Sequence, residues 1–248
     1  MPRNTFKAGR YQGRGEDLKD FIVGEHAAFN SPFHFVPAGE WAIARGWVYR
    51  DYNNLHDYVA AAWTQTLTGA GSAFTLTAAG ILATCDAADN DACAMQHHLG
   101  FTVAANKRAM MYLRVKISDA TQSDLYAGFY VTDTSPVASE PADSAFLMKD
   151  DGAATMVGRS KDNVTGSSTA TVATLANDTY VDLGVTIDGT TSISFHYKAI
   201  TSETWTVTRK TSNLPRAGQV LRPSFLVQNG EAVAKNATIN RLMFAWEL

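Results

Sequence analysis

From Trp63 to Leu248, apolar and polar residues alternate with a period of two in one short run after another. Met111, Leu113, Val115 and Ile117 interleave with Tyr112, Arg114 and Lys116. Leu125, Ala127, Phe129 and Val131 interleave with Tyr126, Gly128 and Tyr130. The same holds for Val181 to Ile187, Ile193 to Tyr197, and Leu242 to Leu248, and for the shorter pairs Phe74/Leu76 and Trp205/Val207. Neighbouring side chains of a strand point to opposite faces, so each run predicts a strand with one face on a core. The breaks carry turn chemistry: Ser118-Asp119-Ala120, Asp150-Asp151-Gly152, Asp188-Gly189 and Asn229-Gly230. Threonine crowds the polar faces, as strand propensity favours. No segment here has the period of a long amphipathic helix. Many short strands divided by turns predict an all-β antiparallel β-sandwich rather than an α/β fold.

Residues 1–62 follow different rules. Their aromatic residues, among them Phe6, Tyr11, Phe21, Phe33, Phe35 and Trp41, are separated by polar or Gly/Pro breaks, and no period persists. Ser31-Pro32 and Val36-Pro37-Ala38-Gly39 are turn signals, and Asn53 to Ala62 has room for one short helix. The expected division is an extended, irregular N-terminal arm over 1–62 and a sandwich domain over 63–248. Arg3, Lys7, Arg10 and Arg14 make the start of the arm basic. An arm this aromatic packs on its own domain or on a partner, because large exposed apolar patches mark interaction surfaces. Ordering on contact would let it reach across a neighbouring subunit; an ordinary frayed terminus is the plainer reading.

Composition narrows the partners. Hydrophobic residues make up 46% and charged residues 18% of the 248, which is globular rather than disordered. A net charge of −3 gives no basic excess for nucleic acid. No apolar run has the length of a membrane span, and the polar start lacks the apolar stretch of a secretory leader. These features point to a protein made and kept in a cytoplasm unless it leaves inside a larger particle.

The run Thr179 to Phe195, with its Asp188-Gly189 turn between two alternating segments, resembles the paired strands of concanavalin A-like (laminin G-like) jelly rolls. Ala127 to Pro136, Ser144 to Gly152 and Ala173 to Gly184 resemble runs in structural proteins of tailed bacteriophages, notably capsid decoration (cement) proteins. The likeness covers about residues 74–198. It implies a virion protein, made in the host cytoplasm, that sits outside the major capsid protein as a dimer or trimer and clamps the shell without chemistry. The arm residues Arg3, Phe6, Lys7, Arg10, Tyr11, Arg14, Phe21, Phe33, Phe35 and Trp41 are then the expected partner-binding set. Fold-level likeness supplies that role; composition and spacing do not.

Candidate chemistry is sparse. Jelly-roll glycosidases need facing carboxylates, commonly as Glu-x-Asp-x-Glu on one strand face. Here Glu140, Glu203, Glu231 and Glu247 stand alone, and Asp124, Asp133, Asp143, Asp150 and Asp151 fall in apparent turns. There is no Gly-x-Ser-x-Gly elbow, phosphate loop or His-Glu-x-x-His. No catalytic residue, metal or cofactor is therefore expected. Sugar binding is the alternative function, in a tail-fibre or host-adsorption protein, because sugars stack on aromatics oriented by a few polar groups. Tyr112, Tyr126 and Tyr130 would share one face for that purpose. Asp86, Asp89 and Asp91 offer oxygen ligands for calcium without a known loop spacing. Cys85 and Cys93 flank that acidic turn as reduced thiols near the ends of a hairpin, with a cross-strand disulfide open to them. Zinc would need more ligands than the adjacent His97 and His98 can supply on one face.

Overall fold

The computed structural model describes residues 47–52 and 58–248. Two eight-stranded sheets pack face to face. In chain order the strands are β1 (Trp47–Asp51), β2 (Trp63–Thr68), β3 (Ala73–Thr77), β4 (Gly80–Thr84), β5 (Ala92–His97), β6 (Phe101–Thr102), β7 (Arg108–Ile117) and β8 (Ser123–Tyr130). They continue as β9 (Asp143–Lys149), β10 (Thr155–Asp162), β11 (Gly166–Thr174), β12 (Val181–Asp188), β13 (Ser192–Ala199), β14 (Thr206–Lys210), β15 (Val220–Asn229) and β16 (Asn236–Glu247). The first sheet runs β14-β13-β12-β7-β16-β4-β3, with β1 also on β16. The second runs β11-β10-β9-β8-β15-β5-β2, with β6 also on β15. Every pairing is antiparallel. The expected all-β sandwich is the observed fold.

The alternation sorts the faces as expected. Met111, Leu113, Val115 and Ile117, with Val181, Leu183, Val185 and Ile187, meet Leu125, Ala127 and Phe129 from the other sheet in one buried cluster. Asp188 closes the β12–β13 turn: its carbonyl accepts the Thr191 N–H at 3.0 Å, and Gly189 takes a φ of +56° that suits glycine. The sheets come close enough at one point to exclude a side chain. A Cβ on Gly158 of β10 would lie 2.1 Å from the Phe195 ring of β13.

Four expectations change. The sandwich takes in β1, inside the stretch expected to be irregular; Trp47 to Asp51 pair with Glu247 to Met243. Five residues are too few for the alternation of Trp47 and Tyr49 to stand out among the aromatic residues around them. Instead of a helix ending at Ala62 there is a single 3-10 turn over Ala60–Ala62, and residues 53–57 lie outside the described ones. The central strands are not half-buried, since every residue of β5 and β8 is buried. Their outer face carries a second apolar layer of Ala94, Tyr126, Tyr130, Phe146 and Leu226, with Val137 and Met148 against it. Finally, Trp205 precedes β14 and packs edge-on to Tyr112 at 6.1 Å on the outer side of the first sheet.

Candidate ligand-binding groove

Strand register builds the groove. Thr66 pairs with Ala94 and Ala94 with Leu226; Thr68 pairs with Ala92 and Ala92 with Gln228. Because i and i+2 share a face, these residues form two rows across β2, β5 and β15 on the outer side of the second sheet. Thr134, Ser135, Val137 and Ala138, from the segment joining β8 to β9, form the wall. The half-open groove has a volume of about 160 Å³, the scale of one sugar ring and below that of a drug-sized pocket. The lining mixes hydroxyls, one amide and small apolar side chains, and no charged residue takes part.

The wall is tied down by a buried amide. Gln96 Nε2 donates to Ser224 Oγ at 2.9 Å and to the Val131 carbonyl at 3.3 Å, and its Oε1 accepts the Asp133 N–H at 2.9 Å. Asp133 in turn accepts the Ser135 N–H at 2.7 Å, and Arg222 Nε donates to Thr132 Oγ1 at 3.0 Å. On the opposite side Gln228 Nε2 donates to the Asn90 carbonyl at 2.9 Å, which leaves Gln228 Oε1 without a protein donor. The exposed Thr68, Thr134 and Ser135 hydroxyls can hydrogen-bond a polyol.

The three tyrosines do not form the stacking platform the alternation suggested. Tyr126 and Tyr130 lie on the outer side of the second sheet, buried on Phe146, and Tyr126 donates to Asp150 Oδ1 at 3.0 Å. Tyr112 lies on the outer side of the other sheet and donates to Asp182 Oδ1 at 2.8 Å. Burial, with Asp182 beside it, pushes the Tyr112 phenol up. Two sheets face opposite ways, so equal strand parity on β7 and β8 places side chains on opposite surfaces of the sandwich. The arm residues Arg3, Phe6, Lys7, Arg10, Tyr11, Arg14, Phe21, Phe33, Phe35 and Trp41 lie outside the described residues.

Most polar groups singled out in the sequence have structural partners. Asp124 and Asp143 belong to strands rather than turns. Asp143 is fully buried and accepts from Arg216 Nη2 at 2.7 Å, while Glu140 takes Arg159 at 2.5 Å. Burial pushes the Asp124 carboxyl up to about 6. Asp86 accepts the N–H groups of Gly71 and Ala87, both at 2.8 Å, which hold its carboxyl below the usual range; Asp91 accepts Ala88 at 2.9 Å. Those carboxylates shape the turn. Cys85 and Cys93 do not flank a hairpin, because β4 and β5 belong to different sheets and both thiols face the interior.

Sequence reasoning missed two sites. One is the groove, whose Thr66, Thr68, Ala92 and Gln228 carry no motif and meet only through pairing of distant strands. The other is the Asp182 network: this carboxylate takes Arg114 Nε at 2.7 Å and Nη2 at 3.1 Å, with Lys198 Nζ at 3.3 Å. Burial alone would raise it, but hydrogen bonds from Arg114 and Tyr112 outweigh that and hold it below the usual carboxylate range. The signal was present, since Asp182 interrupts an apolar strand opposite Arg114.

No protein-family model matches the chain, and no curated protein matches its sequence. Solved structures match in fold. A protein of unknown function, SO2946 from Shewanella oneidensis MR-1, shares 12% identity over 82% of this chain and 87% of its own, with a TM-score of 0.58. The exoplasmic/lumenal domain of VIP36, in a form bound to Ca2+ and Man3GlcNAc, shares 9% over 80% and 88%, at 0.56. Lectin II from Ulex europaeus shares 9% over 81% and 99%, at 0.55. The fold is thus the concanavalin A-like jelly roll of legume lectins, and identities this low carry the fold alone.

Proposed function

We propose that this domain is a lectin-like, non-catalytic binding module that takes an uncharged sugar residue in the groove of β2, β5 and β15. The observation that carries the reading is the lining: Thr66, Thr68, Thr134, Ser135 and Gln228 around a floor of Ala92, Ala94 and Leu226, with no charge. A neutral polyol matches those hydroxyls, whereas an anion or cation would meet no counter-charge. The lectin-like fold of the neighbours supports the same class. The mechanism is hydrogen bonding to ring hydroxyls with one apolar sugar face on the alanine–leucine floor. Titration with neutral bacterial oligosaccharides, chosen from a glycan array, tests it. Replacing Thr68 by Val or Ala92 by Leu weakens saturable binding about three- to tenfold, the effect of one lost neutral hydrogen bond or a filled pocket. Unchanged affinity in both variants refutes the groove.

A virion role is the second reading. The runs that resemble capsid decoration proteins, Ala127 to Pro136 and Ser144 to Gly152, form β8, β9 and the start of the groove wall. They offer an exposed surface at Thr132, Thr134, Ser135 and Ala138 for the major capsid protein, with the arm as a second contact. Sedimentation with expanded capsids tests it. Deleting residues 1–40 abolishes attachment, and undiminished attachment of the truncated chain removes the arm from the mechanism.

A further inference from the structure

We propose that Cys85 and Cys93 are a thiol pair placed to close as an intrachain disulfide between the two sheets, with a low-molecular-weight disulfide such as glutathione disulfide as oxidant. Cys85 follows β4 of the first sheet and Cys93 sits in β5 of the second, and both are fully buried in the core between them. Cys93 Sγ donates to the Thr84 carbonyl at 3.0 Å. That oxygen belongs to the peptide leading into Cys85, so covalent geometry holds Cys93 Sγ within about 6 Å of the Cys85 Cα. From the other side, Cys85 Sγ reaches the carbonyl of Val227, the residue paired with Cys93 between β15 and β5, so each sulfur lies against the backbone beside the other cysteine. The Cys93 sulfur beside it, with burial, pushes the Cys85 thiol up, and the Cys85 sulfur in turn pulls Cys93 down. Among the described residues no group of three or more His, Cys, Asp or Glu could hold an ion.

The segment between them is the way in. Ala87, Ala88, Asp89 and Asn90 are exposed, and the turn is pinned from behind by Asn229, whose Nδ2 donates to the carbonyls of Asp86 and Ala88. When that turn opens, the Cys93 thiolate attacks the small disulfide and releases one thiolate. The Cys85 thiolate then attacks the Cys93 sulfur of the mixed disulfide and releases the second. Two electrons pass from the cysteine sulfurs to the oxidant, and the two protons end on the two released small thiols. The closed interior has no room for a glutathionyl group, so the mixed disulfide resolves rather than persists. Because Cys85 Sγ donates to the Val227 carbonyl at 3.5 Å, the bond would lie behind the β15 segment that carries Leu226 of the groove floor and Gln228 beside it. The proposal itself does not depend on what the groove binds.

The full chain is equilibrated without denaturant in glutathione buffers of rising oxidised fraction and then quenched in acid. Thiols are counted in denaturant and the mass is recorded. The expected result is loss of both thiols together, a mass lower by two hydrogens, and a Tm higher by about 5–10 °C for closing so short a loop. Cleavage at the aspartates between the cysteines then yields two peptides joined by the bond. Cys93→Ser keeps its remaining thiol free under the same conditions. Two free thiols at the most oxidising buffer, stable glutathione adducts, or chain-to-chain dimers would each overturn the proposal. The wild-type mass and peptide map decide it even where the variant fails to fold.

Discussion

Two buried histidines make this domain acid-sensitive, and His97 is the one to test. Its Nδ1 accepts the Leu99 N–H at 3.0 Å, so the proton sits on Nε2, which faces the Tyr52 hydroxyl at 3.4 Å. The ring packs at 4.9 Å from Trp63 and 4.7 Å from Phe244. Burial pushes the imidazole from 6.5 down to about 4, with the charges of Arg50 and Arg222 adding to it. His196, with Nε2 3.0 Å from Thr186 Oγ1, is pushed by burial to about 4 as well. The unfolded chain binds these protons more tightly than the folded one. Stability is therefore full above 6.5, falls as pH drops through 6.5 toward 4, and levels off below. Between pH 7 and 5 each histidine removes about 2 kcal/mol. Asp124, raised to about 6, acts in the opposite sense, because its folded form takes up the proton first. It returns about 1 kcal/mol over the same range. The wild type then loses about 2–3 kcal/mol, a fall of about 1 M in urea midpoint. Urea unfolding at both pH values, for wild type and His97→Gln, checks it. The variant should show about 2 kcal/mol less pH dependence, whatever its stability at pH 7, since groups common to both chains cancel. An equal midpoint shift in the two proteins would refute the buried, neutral His97.

Two further perturbations probe the frame. Asp182→Ala leaves Arg114, Lys198 and Tyr112 facing one another without their shared acceptor, and costs about 3 kcal/mol by urea denaturation; a loss below about 1 kcal/mol would show the network to be screened like a surface pair. Gly158→Ala drives a methyl into the Phe195 ring and separates the sheets locally, lowering stability by about 1–3 kcal/mol; adding Phe195→Leu should recover part of that loss, and an additive double variant would count against the contact.

How much was legible depends on the range over which each feature acts. Strand alternation is local: the parity of Met111 to Ile117 and of Val181 to Ile187 separates core from surface within each strand, because pleating forces it. The Asp188-Gly189 turn is local too, and it closes the hairpin as expected. Short strands such as β1, β4 and β6 were less visible, since five or fewer residues hold few alternations, whereas the Phe74/Leu76 pair did mark β3. Beyond such hairpins, nothing in the sequence says which strand lies beside which. Thr66, Ala94 and Leu226 meet only because β2 and β15 flank β5, and Cys85 faces Cys93 only because β4 and β5 cross to different sheets. The same crossing sent Tyr112 and Tyr126 to opposite surfaces despite their matching parity. The amino-acid sequence by itself determined the class of fold and the inner face of each long strand, through steric rules that act between neighbours. The groove, the thiol pair and the Asp182 network were decided by tertiary structure alone, because hydrogen-bonded pairing between distant segments sets them.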